Sequence, residues 1–128
     1  MVRRPDLRYE FQMASEKRQV NIMGSPNYPG AGEQIVRMRP GQQLRVVREP
    51  KNPYDVNAIA VHIFNQKLGY FPRGFAAEVA PLMDAGYKVI AHKSRDPRFA
   101  QSGVMVVEWE KPDAPSSNTE RTEQADEN

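Results

Sequence analysis

The residues best suited to chemistry lie close together in residues 50–57, which read PKNPYDVN. Pro53 fixes its own φ angle and pushes Asn52 toward extended geometry. Asp55 can accept a hydrogen bond from a backbone N–H two residues further on, as Asx residues do in turns. Tyr54 is therefore expected to stand at a defined angle beside a carboxylate. A rigid aromatic ring next to an acidic group is suited to recognising a ligand.

The rest of the chain offers little support for catalysis. It has no cysteine, which excludes disulfides, thiol catalysis and cysteine-based zinc sites. His62 and His92 have no partner at metal-ligand spacing. The acids Glu49, Asp55 and Asp84 form no paired motif for metal-assisted hydrolysis. No serine stands in a nucleophile-elbow context, and no glycine-rich phosphate loop is present. The sequence therefore predicts a protein that is not an enzyme, with no cofactor and no metal.

Strands are expected on both sides of residues 50–57. Leu44 and Val46 before it, and Ile59, Val61 and Ile63 after it, alternate with other residues at the period of two that is typical of half-buried strands. The predicted strands cover residues 20–23, 42–48, 58–64, 67–71, 89–92 and 104–109, with a short strand or turn over 34–38.

Two glycines and a proline shape the remaining elements. Gly69 interrupts a predicted strand, which indicates close backbone approach or a bulge at a barrel corner. From residue 74 the apolar period becomes helical. Pro81 does not fit comfortably inside a helix, and Gly86 can end the helical segment as a left-handed cap.

Charge divides the chain into a basic body and an acidic tail. Residues 1–111 carry 17 Lys and Arg against 11 Asp and Glu, a net +6, whereas residues 112–128 carry one against five, a net −4. A basic body can attract a polyanion, and an acidic tail can compete for the same surface or keep the protein soluble. One domain is expected over residues 20–111, between a basic arm over 1–19 and a disordered acidic tail over 112–128. The arm either packs its aromatic residues on the barrel, is disordered, or adds phosphate contacts.

Neither a membrane span nor a secretory signal is expected. No apolar run approaches the ~20 residues that a membrane helix needs, and the amino-terminal charges are not followed by a hydrophobic stretch. The sequence therefore predicts a soluble, cytoplasmic protein without a membrane partner.

The segments REPKNPYDVNAIAV, KLGYFPR and AAEVAPLMDAG closely resemble the HIRAN domain, over about residues 20–110. That family occurs at the front of some helicase-like DNA-remodelling ATPases and as small standalone bacterial and phage proteins, the type that this chain resembles. The resemblance implies a mainly β fold, a small OB-like or SH3-like β-barrel of about six strands plus two short helices. In the family these helices are consecutive, which implies Pro81 in the first turn of the second helix and Gly86 at its end. It also implies a binding module that captures the free 3′ end of single-stranded DNA in DNA repair or replication.

The resemblance also implies roles for single residues. Tyr54 would stack on the terminal base, and Asp55 would accept a hydrogen bond from the terminal hydroxyl while repelling a terminal phosphate. Arg73 stands where the family commonly places a basic residue near the DNA backbone, and Lys51 or Arg48 would assist it.

Tyr28 is a second candidate for stacking a base, because the family often has an aromatic-plus-glycine element there. Tyr70 follows Gly69, where the better-studied eukaryotic members can carry a more polar side chain. The DNA-binding residues expected from sequence are Tyr28, Arg48, Lys51, Asn52, Tyr54, Asp55, Tyr70 and Arg73.

These assignments have alternatives. Arg48 can pair with Glu49 or Asp55 instead of a phosphate. Asp55 can serve to brace its turn and cap Asn57, and Tyr28 can form a lid over the barrel end. For the whole molecule, the alternative is a protein-interaction module that recruits a repair or replication factor and has no end specificity. A separately encoded helicase or nuclease is a further expected partner, because a domain without a catalytic centre acts through another protein.

Overall fold

The computed structural model describes residues 15–112, which form one six-stranded antiparallel sheet with two α-helices. The strands are β1 (Ser15–Asn21), β2 (Gln43–Arg48), β3 (Ile59–Ile63), β4 (Gln66–Tyr70), β5 (Lys88–Lys93) and β6 (Val104–Glu110). The helices are α1 (Ala31–Arg37) and α2 (Arg73–Asp84). The strands lie in the order β1-β6-β5-β2-β3-β4 in a sheet that curls into a half-barrel. The predicted mainly β, OB-like fold with about six strands and two short helices is confirmed, but the two helices are α1 and α2 and not the consecutive pair expected.

The sheet curls until the segment after β1 meets the opposite edge strand, β4. Beyond the end of β1, the backbone N–H of Met23 donates to the carbonyl of Tyr70, and the N–H of Tyr70 donates to the carbonyl of Met23, each at 2.8 Å. Gly69 permits this approach, because a Cβ there would lie 2.3 Å from the Met23 oxygen. The β3–β4 register also shifts beside Gly69, between Val61 and His62. Both features predicted for Gly69 are therefore present.

The core fills the inside of the curled sheet. Ile59, Val61 and Ile63 of β3 are buried, as their alternation predicts. Helix α2 adds a face of four buried residues, and its Phe75 ring stacks on Phe71 and tilts against Trp109, with ring centroids 5.2 and 5.7 Å apart. Of the helices that the structure describes, none is long and apolar enough to cross a membrane.

Helix α2 departs from the predicted pair of short helices. It is continuous, with Pro81 inside it. A proline in a helix interior costs ~3 kcal/mol or more, because it removes a hydrogen bond and crowds the preceding turn. Pro81 lies in the last turn, where its own carbonyl still accepts the N–H of Ala85 at 3.0 Å. The buried face of the helix holds the preceding turns on the core, which offsets the strain and keeps the helix in one piece.

Helix α1 replaces the short strand or turn predicted over residues 34–38. It begins after Gly30, whose φ of 88° is left-handed, and it buries Ala31 and Ile35. Met38, directly after the helix, is also buried. These three residues follow the i, i+4, i+7 spacing of a helix face. The segment predicted over residues 34–38 omits Ala31, so it does not show the helical period.

Strand β1 begins at Ser15, within the arm predicted over residues 1–19 and ahead of the strand predicted over 20–23. Its early residues are charged and exposed, so their side chains give no apolar alternation. Backbone pairing with β6 along the whole of β1 forms the strand instead. Arg18 also lies over the rings of Phe75 and Trp109. The arm residues before Ser15 and the predicted acidic tail beyond Pro112 fall outside the described residues.

Candidate functional site

Six of the eight predicted site residues line a single open groove of about 470 Å³. They are Tyr28, Asn52, Tyr54, Asp55, Tyr70 and Arg73. Much of the remaining lining is apolar and includes Met23, Pro53, Ala58 and Phe71. The groove lies where the segment after β1 meets the end of β4 and the β2–β3 loop, residues 49–58. Tertiary structure thus unites residues from three separate parts of the chain.

The β2–β3 loop is held from inside by Asn52. Its Oδ1 accepts hydrogen bonds from the backbone N–H groups of Tyr54 at 2.8 Å and Asp55 at 3.2 Å. Its Nδ2 donates to the Glu49 carboxylate at 3.0 Å. Asp55 Oδ1 accepts the N–H of Asn57 at 2.9 Å, so the bracing role considered for Asp55 is present. The loop is stiff because its turns are closed by its own side chains.

Tyr54 points away from the core, with 83% of the residue exposed. Its carbonyl accepts a hydrogen bond from Arg73 Nη2 at 2.6 Å, and Arg73 Nε lies 3.6 Å from Asp55 Oδ2. The Arg73 side chain remains 74% exposed. Within residues 15–112, its Nη1 makes no hydrogen bond. Arg73 therefore supports the loop with one side of the guanidinium and presents donors to solvent with the other.

A second polar cluster adjoins the groove through Tyr70 and Asn52. The Tyr70 hydroxyl donates to Glu49 Oε1 at 2.8 Å and accepts from Lys67 Nζ at 2.8 Å. Lys67 Nζ also donates to Glu49 Oε2 at 3.1 Å. The Lys67 ammonium lies 4.8 Å from the centroid of the Tyr70 ring and 5.4 Å from that of Tyr28. We call Glu49, Lys67 and Tyr70 the outer cluster.

The outer cluster holds each of its members in the ordinary charge state. Burial raises the pKa of Glu49, but hydrogen bonds from Asn52, Tyr70 and Lys67 together bring that pKa below its usual value. The hydrogen bond with Tyr70, followed by the one with Glu49, raises the pKa of Lys67. Burial raises the pKa of Tyr70. A carboxylate, an ammonium and a neutral phenol therefore face one another at neutral pH.

Sequence reasoning did not assign Glu49 or Lys67 to the site. In a regular strand, Lys67 and Tyr70 would lie on opposite faces, because three positions separate them. The irregularity between them changes this, since Lys67 lies opposite His62 and Tyr70 opposite Ala60. Both side chains therefore lie on the same face. Gly69 was the available signal for the bulge, but it does not indicate which residues the bulge brings together.

Arg48, a predicted site residue, lies outside the groove and makes contacts within the protein. Its Nε and Nη2 donate to the two carboxylate oxygens of Asp84 at 3.0 and 3.1 Å. Its Nη1 donates to the carbonyls of Val56 at 2.7 Å and Ala58 at 3.3 Å. The side chain is only 16% exposed. Ion pairing, the alternative to phosphate contact, is what the structure shows, but the acid is Asp84 of α2 and not one of the two acids expected.

Lys51, the other predicted residue outside the groove, is exposed. It lines a shallow depression on another side of the loop, together with Pro50 and Pro53. The histidines lie on strands, and burial lowers the pKa of both His62 and His92. In the part of the chain that the structure describes, no three His, Asp or Glu residues are grouped to hold a metal ion.

Comparisons with known proteins agree with this architecture. The sequence model of the HIRAN domain matches residues 16–100. No curated protein matches the chain significantly. Among solved structures, a protein from Lactobacillus plantarum is 26% identical, with a TM-score of 0.60, and the match covers 75% of this chain and 98% of that one.

Two structures of a human domain are also similar. The HIRAN domain of human HLTF is 20% identical, with a TM-score of 0.61, over 88% of this chain and 93% of that one. The same domain in its DNA-bound conformation is 21% identical, with a TM-score of 0.50, over 87% of each chain. At these identities, the human structures establish a shared fold. Because the HIRAN sequence model spans well over half of the chain, this protein belongs to the HIRAN domain family.

Proposed function

We propose that the groove binds single-stranded DNA and recognises its free 3′-hydroxyl end. The observation that carries the proposal is the meeting in one groove of an exposed ring, a carboxylate and a guanidinium, from Tyr54, Asp55 and Arg73. A strand terminus offers a matching set of groups: a base, a hydroxyl and a phosphate. Membership of the HIRAN family and the DNA-bound conformation of the human HLTF domain support the proposal.

The aromatic residues of the groove account for binding of a base. Tyr54 stands on the rigid loop, and Tyr28 and Tyr70 lie elsewhere on the lining with their centroids 6.2 Å apart. Met23 and Pro53 make further lining apolar. Stacking of a base on an aromatic ring contributes ~1–3 kcal/mol and tolerates any sequence. The groove is therefore suited to a terminal base of any identity.

Asp55 accounts for recognition of the hydroxyl. Its Oδ1 accepts the Asn57 N–H, whereas its Oδ2 lies 3.6 Å from Arg73 Nε without a hydrogen bond, so Oδ2 is the oxygen that would accept one from the ligand. An ionised carboxylate accepts hydrogen bonds and donates none, so it fits a hydroxyl. A 3′-phosphate would bring negative charge against the same oxygen and be repelled. One side chain would thus favour a free end over a phosphorylated one.

The basic residues of the site divide into two roles in this proposal. Arg73 neutralises a phosphate with the donors that it presents to solvent, and Lys51 assists from the outside of the loop. Arg48 is a positioning residue, because its contacts connect the loop to α2. The domain would act on DNA ends in repair or replication together with a separately encoded helicase or nuclease, and it would perform no catalysis itself.

Fluorescence anisotropy with short oligonucleotides that end in a 3′-hydroxyl or a 3′-phosphate tests the proposal. We expect the hydroxyl end to bind more tightly and Tyr54→Ala to weaken binding about tenfold, the loss of one stacked base. Tyr54→Phe is the matched control, because it keeps the ring. Asp55→Asn keeps an acceptor for the Asn57 N–H but removes the charge, so it should reduce the preference for the hydroxyl end.

The possible outcomes separate the proposal from its alternative. If neither oligonucleotide binds at low salt, DNA binding is wrong and a protein-interaction module is the better explanation. If both ends bind equally well, single-strand binding stands and end recognition is wrong.

A further inference from the structure

We infer that the outer face of β2 and β3 carries a second nucleotide-binding site, which holds the DNA strand upstream of the end bound in the groove. This inference rests on the proposed function and extends it. The site is a pocket of about 350 Å³ beside the β3–β4 hairpin. Its lining consists of Gln42, Gln43, Leu44, Arg45, His62, Ile63 and Phe64.

Phe64 is the first indication of a ligand. It is the first of two loop residues between the paired Ile63 and Gln66, and 75% of it is exposed. Its φ of 55° is the only positive value among the described non-glycine residues. In a two-residue hairpin loop where only the first residue has a positive φ, glycine is preferred at that position. A large exposed ring held at such a position contributes little to stability and indicates a functional role.

Arg45 supplies a positive charge beside that ring. It is exposed, and its Nη2 donates to the Phe64 carbonyl at 3.3 Å. Among residues 15–112 it has no carboxylate partner. His62 lies directly opposite Arg45 in the β2–β3 register, so the two side chains share a face. His62 Nδ1 is buried and has no hydrogen-bond partner in the described chain. An arginine with an exposed ring matches the phosphate and base of one nucleotide.

The outer cluster connects this pocket to the groove. Lys67 lies opposite His62 in the β3–β4 register, so Arg45, His62 and Lys67 form a row across three strands. With adjacent strands ~4.8 Å apart, the row is about 10 Å long. Lys67 in turn contacts Tyr70, which lines the groove. The row adjoins the groove and carries two cations, of which Lys67 is paired with Glu49 and Arg45 has no carboxylate partner among residues 15–112. The charge of Arg45 beside the exposed Phe64 ring favours a strand of DNA as the occupant.

Oligonucleotides of two lengths test this second site. We compare 3′-hydroxyl oligonucleotides of about 3 nucleotides, below the site sizes known for OB folds, and of about 12 nucleotides, within that range. The longer one should bind about tenfold more tightly, because it adds a second stacked base. Phe64→Gly and Arg45→Gln should reduce the affinity for the longer oligonucleotide toward that for the shorter one. Affinity for the shorter oligonucleotide should not change.

The variants are chosen to exclude trivial explanations. Glycine suits the positive φ of residue 64, so Phe64→Gly should melt at or above the wild-type temperature and its loss of affinity cannot come from unfolding. Arg37→Gln is the control for Arg45→Gln, because it removes the same charge from an exposed arginine that lines neither site.

The outcomes also distinguish this inference from the proposed function. If the two oligonucleotides bind with equal affinity, the second site is wrong and the proposed function stands. The same conclusion follows if the longer one binds more tightly but neither Phe64→Gly nor Arg45→Gln weakens its binding. If no oligonucleotide binds, both are wrong.

Discussion

At the scale of single residues, Asn52 braces the loop that carries Tyr54 and Asp55. Its one amide accepts two backbone N–H groups and donates to Glu49, so it joins the loop to the outer cluster. The loop itself contains two prolines, which limit its alternative conformations. Tyr54 can therefore be both highly exposed and well oriented, a combination that lowers the entropy lost on binding.

Replacing Asn52 should separate the contribution of loop order to DNA affinity from the contribution of the Tyr54 ring. In Asn52→Ala, the N–H groups of Tyr54 and Asp55 lose their acceptor, and we expect about 1–2 kcal/mol less stability, as for partly exposed hydrogen bonds. DNA affinity should fall although the Tyr54 ring, the Asp55 carboxylate and the Arg73 guanidinium all remain. Urea denaturation and anisotropy measure the two effects. Asn65→Ala, at an exposed turn position, is the control. Wild-type affinity in Asn52→Ala would show that the loop needs no such support.

The lowered pKa of Glu49 predicts how stability depends on pH. A carboxyl group whose pKa is lower in the folded than in the unfolded protein stabilises the folded protein at pH values above its unfolded-state pKa, which is about 4.3 for Glu. This stabilisation is lost as the pH falls through the folded-state pKa. The difference in unfolding free energy between wild type and Glu49→Gln should therefore shrink between about pH 7 and about pH 3. Urea denaturation at several pH values measures it.

A second variant tests the physical cause of that dependence. In a Tyr70→Phe background, the loss of unfolding free energy on Glu49→Gln substitution should vary less with pH. One of the hydrogen bonds that lower the pKa of Glu49 is missing there. An equal change in both backgrounds would contradict the role of the Tyr70 hydroxyl.

At the scale of elements, the irregularity in β4 has two effects on the site. Next to Gly69, the backbone of β4 pairs with Met23 and so brings the segment after β1 to the groove. The same irregularity places Lys67 and Tyr70 on one face of the sheet. A short stretch of strand thus determines both the groove wall that carries Tyr28 and the outer cluster beside it.

Substitution of Gly69 should disrupt this closure. In Gly69→Ala the new Cβ would meet the Met23 oxygen at 2.3 Å, at a φ of 149° that side chains rarely adopt. We expect a loss of about 2 kcal/mol or more in unfolding free energy, and weaker DNA binding, because the backbone must move. Gly74→Ala is the control, because nothing lies within 4 Å of its Cβ and alanine favours the helix. Equal stability of the two variants would contradict the close approach.

At the scale of the whole molecule, the net charge of residues 1–111 favours association with a polyanion. That net charge is +6, while residues 112–128 carry −4. Binding to single strands weakens as salt rises, with a slope of log affinity against log salt of about −0.7 for each neutralised phosphate. Salt dependence therefore separates residues that neutralise phosphates from residues that stack on bases.

This distinction gives a prediction for the two principal groove residues. Arg73→Gln should reduce the magnitude of the salt slope by about 0.7, whereas Tyr54→Ala should lower affinity at every salt concentration without changing the slope. Anisotropy titrations over a range of salt concentrations measure both. Lys88→Gln, an equal loss of charge on β5 outside the groove, is the control. Equal slopes for Arg73→Gln and Lys88→Gln would rule out a phosphate contact by Arg73.

Much of the fold could be predicted from local patterns in the sequence. The apolar alternation identified β2 and β3 as strands, and the spacing of prolines and Asx residues identified the stiff loop. The motif around Tyr54 identified the family. The predictions were wrong where tertiary contacts, and not the local sequence pattern, stabilise an element. β1 contains charged residues whose strand geometry comes from pairing with β6, and α2 continues through Pro81 because its buried face compensates for a lost hydrogen bond.

By itself, the sequence determined the strand pattern, the rigid loop and the residue types that could bind a strand end, since these depend on neighbours along the chain. Only the tertiary structure decided which of those residues meet. It placed six of them in one groove, paired Arg48 with Asp84, and joined Lys67 to Glu49 and Tyr70. These contacts depend on strand register and on one irregularity in β4, and a change of one residue in register moves a side chain to the opposite face.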